Sequence, residues 1–129
     1  MKYDLMFTVI IPKYSNAGER ISTEQLSKYV KEMAREFGGA TVHPSVLGCW
    51  FDKEDDKLIC EENMVVVSAL DASELPEDEI ERKRRFVKEL AKKIGRDLGQ
   101  YEVMAFEDVI DRLSFIEGKY RPHLPDSFK

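Results

Sequence analysis

The sequence predicts an α+β fold: a four-stranded antiparallel sheet in the order β-α-β-β-α-β, both helices on one face, and a C-terminal extension. Three observations predict it. Residues 5–11 and 64–70 are apolar at nearly every position rather than every second one, so both side-chain rows of each strand are covered. Two amphipathic helices separate the strand-like segments. Pro44 interrupts the second of those segments, and proline donates no ladder hydrogen bond, which places that strand at a sheet edge. Right-handed crossovers then put the first and third strands in the middle, where the doubly apolar segments belong.

Taken in order, the first strand sets Leu5, Phe7, Val9 and Ile11 against Met6, Thr8 and Ile10, and stops at Pro12. Residues 13–20 form a polar loop, longer than a tight strand-to-helix connection needs, in a position where loops often carry ligands. Ser22 with Gln25 makes a capping box, and Ile21 against Leu26 a hydrophobic staple. Leu26, Tyr29, Val30, Met33, Ala34 and Phe37 follow as one buried helical stripe, which Gly38-Gly39 ends. Residues 40–52 form the second strand, with Gly48 marking a bulge or a close approach of another group. Residues 52–57 are all charged and read as the hairpin turn into the third strand, 58–70.

A loop over 71–76 leads to the second helix, with Pro76 in its first turn. Glu77, Asp78 and Glu79 at its start and Lys92, Lys93 and Arg96 near its end complement the helix dipole. Ile80, Val87, Leu90, Ala91, Ile94 and Leu98 form its apolar stripe, and Gly99 closes it. Residues 101–106 read as the fourth strand. Residues 107–116 read as a short helix, whose β-branched content leaves a strand open, and 117–129 as an irregular tail. With no repeat or linker in view, one domain over 1–129 is expected, its core within 5–106.

Composition narrows the class. The 129 residues are 43% hydrophobic and 35% charged, with a net charge of −5. That hydrophobic share argues against disorder, and the acidic balance against a nucleic-acid backbone as main partner. Asparagine and glutamine number only four, a lean towards a heat-adapted source. No apolar run approaches the roughly 18–20 residues of a membrane span. With no export signal in view, the expectation is a cytoplasmic protein whose Cys49 and Cys60 are reduced, half-buried thiols, although adjacent strands would let them pair. They lack the CxxC spacing of a zinc site, so neither metal nor cofactor is expected.

Over residues 5–106 this order and pattern resemble the ferredoxin-like, or α/β-plait, superfamily, and within it the dimeric α+β barrel members, whose sheets pack face to face. Two helices cover one sheet face, so the resemblance implies a homo-oligomer closed through the open face. It also implies a range of roles, from small-molecule monooxygenases and isomerases to ligand-sensing modules. It carries over no catalytic residue, because no motif matches one residue by residue.

Site candidates come from residue chemistry. His43 is a candidate general base, against the plainer reading of an exposed or structural histidine. Glu61 is a candidate proton-transfer acid; adjacent Glu62 must point the other way, and both otherwise sit in water near the hairpin end. Lys13, Tyr14 and Arg20 are candidates for an anionic group, and Trp50 for lining a pocket or plugging an interface. Residues 82–85 form a basic run, expected to be an ion-paired helix face rather than an RNA surface. The leading function is a small-molecule or partner-binding module that self-associates; the alternative is a small-molecule enzyme using His43 and Glu61 in a cleft, with RNA binding third.

Overall fold

The computed structural model describes residues 3–119; His123 and most of the expected tail lie outside them. The elements are β1 (Asp4–Pro12), α1 (Thr23–Phe37), β2 (Thr41–Asp52), β3 (Lys57–Leu70), α2 (Glu77–Leu98) and β4 (Ala105–Ile110). The sheet order is β2-β3-β1-β4, with every neighbouring pair antiparallel. This is the ferredoxin-like fold, and the doubly apolar strands are its central pair.

Register sorts the side chains. Leu5 pairs with Leu70, Phe7 with Ser68, Val9 with Val66 and Ile11 with Met64. These residues are buried beneath Leu26, Tyr29 and Met33 of α1 and Ile80, Val87, Leu90, Ile94 and Leu98 of α2. The opposite row is Met6, Thr8 and Ile10 beside Ala69, Val67 and Val65. Apart from buried Thr8, these positions are half-buried, because no helix covers them.

The helices begin and end where local chemistry directs. Ser22 Oγ accepts from Gln25 N–H at 3.1 Å. The reciprocal half of the capping box is absent, since Gln25 Nε2 donates instead to Tyr29 Oη at 2.7 Å. Gly38, at φ 86°, provides the left-handed turn after α1. In β2 the ladder shifts between His43 and Val46, so the bulge sits at Pro44 rather than at Gly48. Gly48 answers to the other expectation: a Cβ there would meet Asn63 Nδ2 at 2.8 Å.

Two expectations are corrected. The fourth strand is Ala105–Ile110, not 101–106, and no helix covers 107–116. After α2 the chain needs residues 100–104 to turn back, and Val109 and Ile110 then continue the strand, with Leu5 opposite Val109 and Asp4 opposite Ile110. The cysteines form a disulfide. The hairpin register sets Cys49 directly opposite Cys60, with Cα atoms 4.0 Å apart.

Asp4, only 4% exposed, is a latch that sequence pattern did not mark. Its Oδ1 accepts from the N–H groups of Ala72 (2.9 Å) and Ser73 (3.2 Å), and its Oδ2 from Leu113 N–H (2.7 Å). It thereby ties the β3–α2 loop and the segment after β4 to β1. The Leu113 N–H is the main cause holding this carboxyl below its ordinary value of 3.8, with Ser73 and Ala72 adding to it and burial opposing. Because the folded-state value is the lower one, the stabilisation is complete above the ordinary value and is lost as pH falls through the folded one. Asp4→Asn is expected to lower the melting temperature at neutral pH, with the two Tm–pH curves drawing together as pH falls below the ordinary carboxyl value of 3.8. Parallel curves down to the acid limit would rule the latch out.

Candidate functional site

Four regions hold the candidate residues. The first is the loop between β1 and α1. Lys13 N–H donates to Glu62 O at 3.1 Å and Ile21 N–H to Lys13 O at 2.8 Å, while Tyr14 and Arg20 form a backbone bridge. The loop is thus pinned to β3. Arg20 Nη1 donates to Tyr14 Oη at 3.1 Å and its guanidinium lies 5.7 Å from the ring centroid. Lys13 Nζ reaches Glu62 Oε1 at 3.2 Å, and Ser45 Oγ donates to the same oxygen at 2.8 Å. Ser45 first, then Lys13 and more distant Arg20, hold the Glu62 carboxyl below the usual carboxylate range. The predicted trio Lys13, Tyr14 and Arg20 does come together, around Glu62 and not Glu61. Lys13 is answered by Glu62, while Arg20 forms no ion pair among the described residues and leans on the Tyr14 hydroxyl and ring.

The second region is the arm formed by the outer ends of β2 and β3, beyond the last β1–β3 pair, Pro12 with Asn63. His43 pairs with Val65, Glu61 with Gly48 and Trp50 with Ile59, all on the face away from the helices. Four residues of strand separate His43 from Glu61, about 13 Å at the usual rise. Both are exposed; His43, opposite the β1-paired Val65, lies in the body of the sheet, whereas Glu61 and Trp50 lie out on the arm, so the structure spreads these candidates instead of gathering them.

The third region, which sequence reasoning missed, is a cleft of about 690 Å³ between α2 and β4. Ala91 and Gly95, one helical turn apart, face Ala105 of β4. Small side chains on both walls leave volume that larger ones would fill. A Cβ at Gly95 would lie 3.3 Å from Gln100 O and 3.7 Å from Val103 Cγ2, so glycine here lets the loop after α2 close one end. Phe7, Val87 and Val103 add apolar lining. Along the rim run Arg84, Lys88, Lys92 and Arg96, every fourth residue of α2. Gln100 Nε2 donates to Tyr14 O at 3.2 Å, which joins this cleft to the first region. The readable signal was that four-residue basic row beside the small pair Ala91 and Gly95.

Of the basic run 82–85, Arg82 pairs with Glu79 and Glu36, Lys83 with Glu36, and Arg84 with Glu81 and Glu107. That matches the expected ion-paired face.

The fourth region is the sheet face opposite the helices. Beyond the central rows it carries Phe106, Asp108 and Ile110, register partners of Thr8, Met6 and Asp4. Phe115, from the segment after β4, borders a hollow with Phe37, Thr41, Val67 and Ala69, and so reaches one corner of this face. Among the described residues no group of three or more His, Cys, Asp or Glu side chains is arranged to hold a metal ion.

No protein-family model matches the chain, and no curated protein sequence matches it. Solved structures do. A phage SAM lyase in complex with S-methyl-5'-thioadenosine superposes with a TM-score of 0.60 at 14% identity, over 92% of this chain and 93% of that one. GlnK from B. subtilis, in complex with ATP, gives 0.54 at 15% identity over 85% and 84%. The divalent ion tolerance protein CutA1 from Ehrlichia chaffeensis gives 0.52 at 8% identity over 88% and 87%. At such identities the likeness is one of fold.

Proposed function

We propose that this protein is a single-domain, small-molecule-binding module that assembles with copies of itself through the open sheet face, and that the α2–β4 cleft is its ligand site. The cleft carries the reading. Its volume of about 690 Å³ lies in the range of drug-sized ligand pockets, roughly 300–1,000 Å³, and its lining mixes an apolar floor with a polar rim. The ligands named with two fold neighbours, S-methyl-5'-thioadenosine and ATP, support nucleosides and nucleotides as the first compounds to try. The helix-free sheet face, mainly apolar along its central rows, supports self-association.

The alternative, proton transfer by His43 and Glu61 on a substrate held by Lys13, Tyr14 and Arg20, has less support, because His43 stands in the body of the sheet and Glu61 out on the arm. Among the described residues no helix is long and apolar enough to cross a membrane. A cytoplasmic setting agrees with the disulfide if the source is heat-adapted, since intracellular proteins of hyperthermophiles are often disulfide-rich.

Thermal unfolding with a panel of nucleosides and nucleotides tests the site. A true ligand at a hundred times its Kd is expected to raise Tm by on the order of 5–10 °C. Ala91→Leu, which fills the cleft without altering charge, should abolish that rise. An undiminished rise in Ala91→Leu would place the ligand elsewhere.

A further inference from the structure

We infer that the α2–β4 cleft takes a flat-ring organic phosphate, its phosphates lying along Lys88, Lys92 and Arg96 and its ring against Tyr101 and the apolar floor. This rests on the cleft being the ligand site proposed above, and adds the charge and shape of what it holds.

The sign of the wall is the first observation. In a chain of net charge −5, the cleft is lined by four cations and a single carboxylate, Glu107. Those cations are not equivalent. Arg84 is neutralised by Glu107 at 2.8 Å and by Glu81. Lys92 has one exposed partner, Glu89, at 3.3 Å, an arrangement worth little in water. Lys88 and Arg96 form no ion pair among the described residues. Unanswered positive charge therefore lies at the C-terminal half of α2, beside a low-dielectric wall that strengthens its field.

Spacing narrows the ligand further. Residues four apart on a helix rise by about 6 Å, so Lys88, Lys92 and Arg96 make a row that several linked oxyanions can follow. One carboxylate would engage only part of it. Arginine adds the planar fork that suits phosphate oxygens in pairs.

The second observation is an aromatic ring with no packing role in this chain. Tyr101 is 99% exposed, yet it lines the cleft at the end where Gly95, Arg96 and Gln100 meet. A phenol left wholly in water beside an apolar floor of Val87, Val103 and Ala105 gives a second ring a surface to stack on. An uncharged nucleoside would leave Lys88 and Arg96 unanswered, and inorganic polyphosphate would leave the floor wet. Nucleic acid fits less well, because the neighbouring basic run at 82–84 is spent on Glu36, Glu79, Glu81 and Glu107.

Calorimetric titration at low salt, with ATP, AMP, adenosine, tripolyphosphate and a 12-nucleotide RNA as probes, tests the assignment. ATP is expected to bind at least about tenfold more tightly than AMP, adenosine or tripolyphosphate, and to weaken steeply with added salt. The Lys88→Glu/Lys92→Glu variant should lose about tenfold or more in ATP affinity, and Tyr101→Ala about fivefold or more. Adenosine binding as tightly as ATP, no heat with any probe, or ATP affinity untouched by the charge reversal would overturn the assignment. RNA binding a hundredfold tighter than ATP would do the same. Ala91→Leu separates the two claims: if it abolishes binding of some ligand while charge reversal does not, the cleft stands and the phosphate falls.

Discussion

Phe7→Ala is expected to lower the unfolding free energy by about 3–5 kcal/mol, the range for truncating a buried phenylalanine. Phe7 is 2% exposed at the centre of β1, its ring centroid 5.1 Å from that of Phe37, which in turn meets Phe86 edge-on at 6.0 Å. One ring thus links a central strand to the end of α1 and, through Phe37, to α2. The upper part of the range follows from what surrounds it. Its partners across the sheet are Ser68 and Glu107, neither of which can swing in as an apolar replacement. Ser68 Oγ is also committed to Gly39 O at 2.8 Å. On the cleft side the neighbours include Ala91, Gly95 and Ala105, too small to close the gap. Against a typical total of about 5–15 kcal/mol, such a loss takes a large share of the stability. Urea unfolding followed by circular dichroism reads it as a lower midpoint with an unchanged slope. Leu58→Ala, at a residue 64% exposed on the arm, should stay within about 0.5 kcal/mol. A Phe7→Ala loss below about 1 kcal/mol would mean that the centre of the sheet is not where most of the stability resides.

The same residues explain how much of this molecule is legible in its sequence. Strand order follows from two local facts, the double apolarity of residues 5–11 and 64–70 and the proline at 44, and both concern neighbours along the chain. Helix α1 is legible for the same reason: Ser22, the stripe from Leu26 to Phe37 and Gly38 all act within a turn or two of one another. The end of the chain is less so. Val109, Ile110 and Leu113 fit a strand as well as a helix, and the choice is made by the unpaired edge of β1, remote in sequence. The side-chain parity of Glu61 and Glu62 is hidden because both rows of β3 are apolar; only the register with β1 shows that Glu62, in step with Met64, faces Lys13. The cysteine pair depends on register too, since a slip of one residue would separate the two sulfurs. The cleft is the least legible feature. It exists because small residues on α2 happen to face a small residue on β4, a coincidence of tertiary placement that no local period records.

If copies assemble through the open face as proposed, Ile10→Glu is expected to weaken self-association by at least about 100-fold, or ~2.7 kcal/mol, because it would put an unpaired carboxylate between two apolar surfaces. Ile10 lies on the open face of a central strand, opposite Val65, with Met6 and Thr8 preceding it in the same row. No helix lies over that row, so in a lone subunit Ile10 is half-buried at most, and a glutamate there can turn its head into water. The folded monomer should therefore tolerate the change, which separates an assembly defect from a folding defect. Sedimentation velocity at micromolar concentration reads the outcome: a multiple of 15.0 kDa for the wild-type chain and 15.0 kDa for the variant, with superimposable circular dichroism. Arg85→Glu, on the exposed flank of α2, should leave the assembly intact. A wild-type chain already monomeric at that concentration, or an Ile10→Glu variant that sediments with it as a multimer, would remove the open face from the assembly. Its apolar rows would then need another cover. Phe115, already at the corner beside Val67 and Ala69, marks the direction from which the chain itself reaches that face.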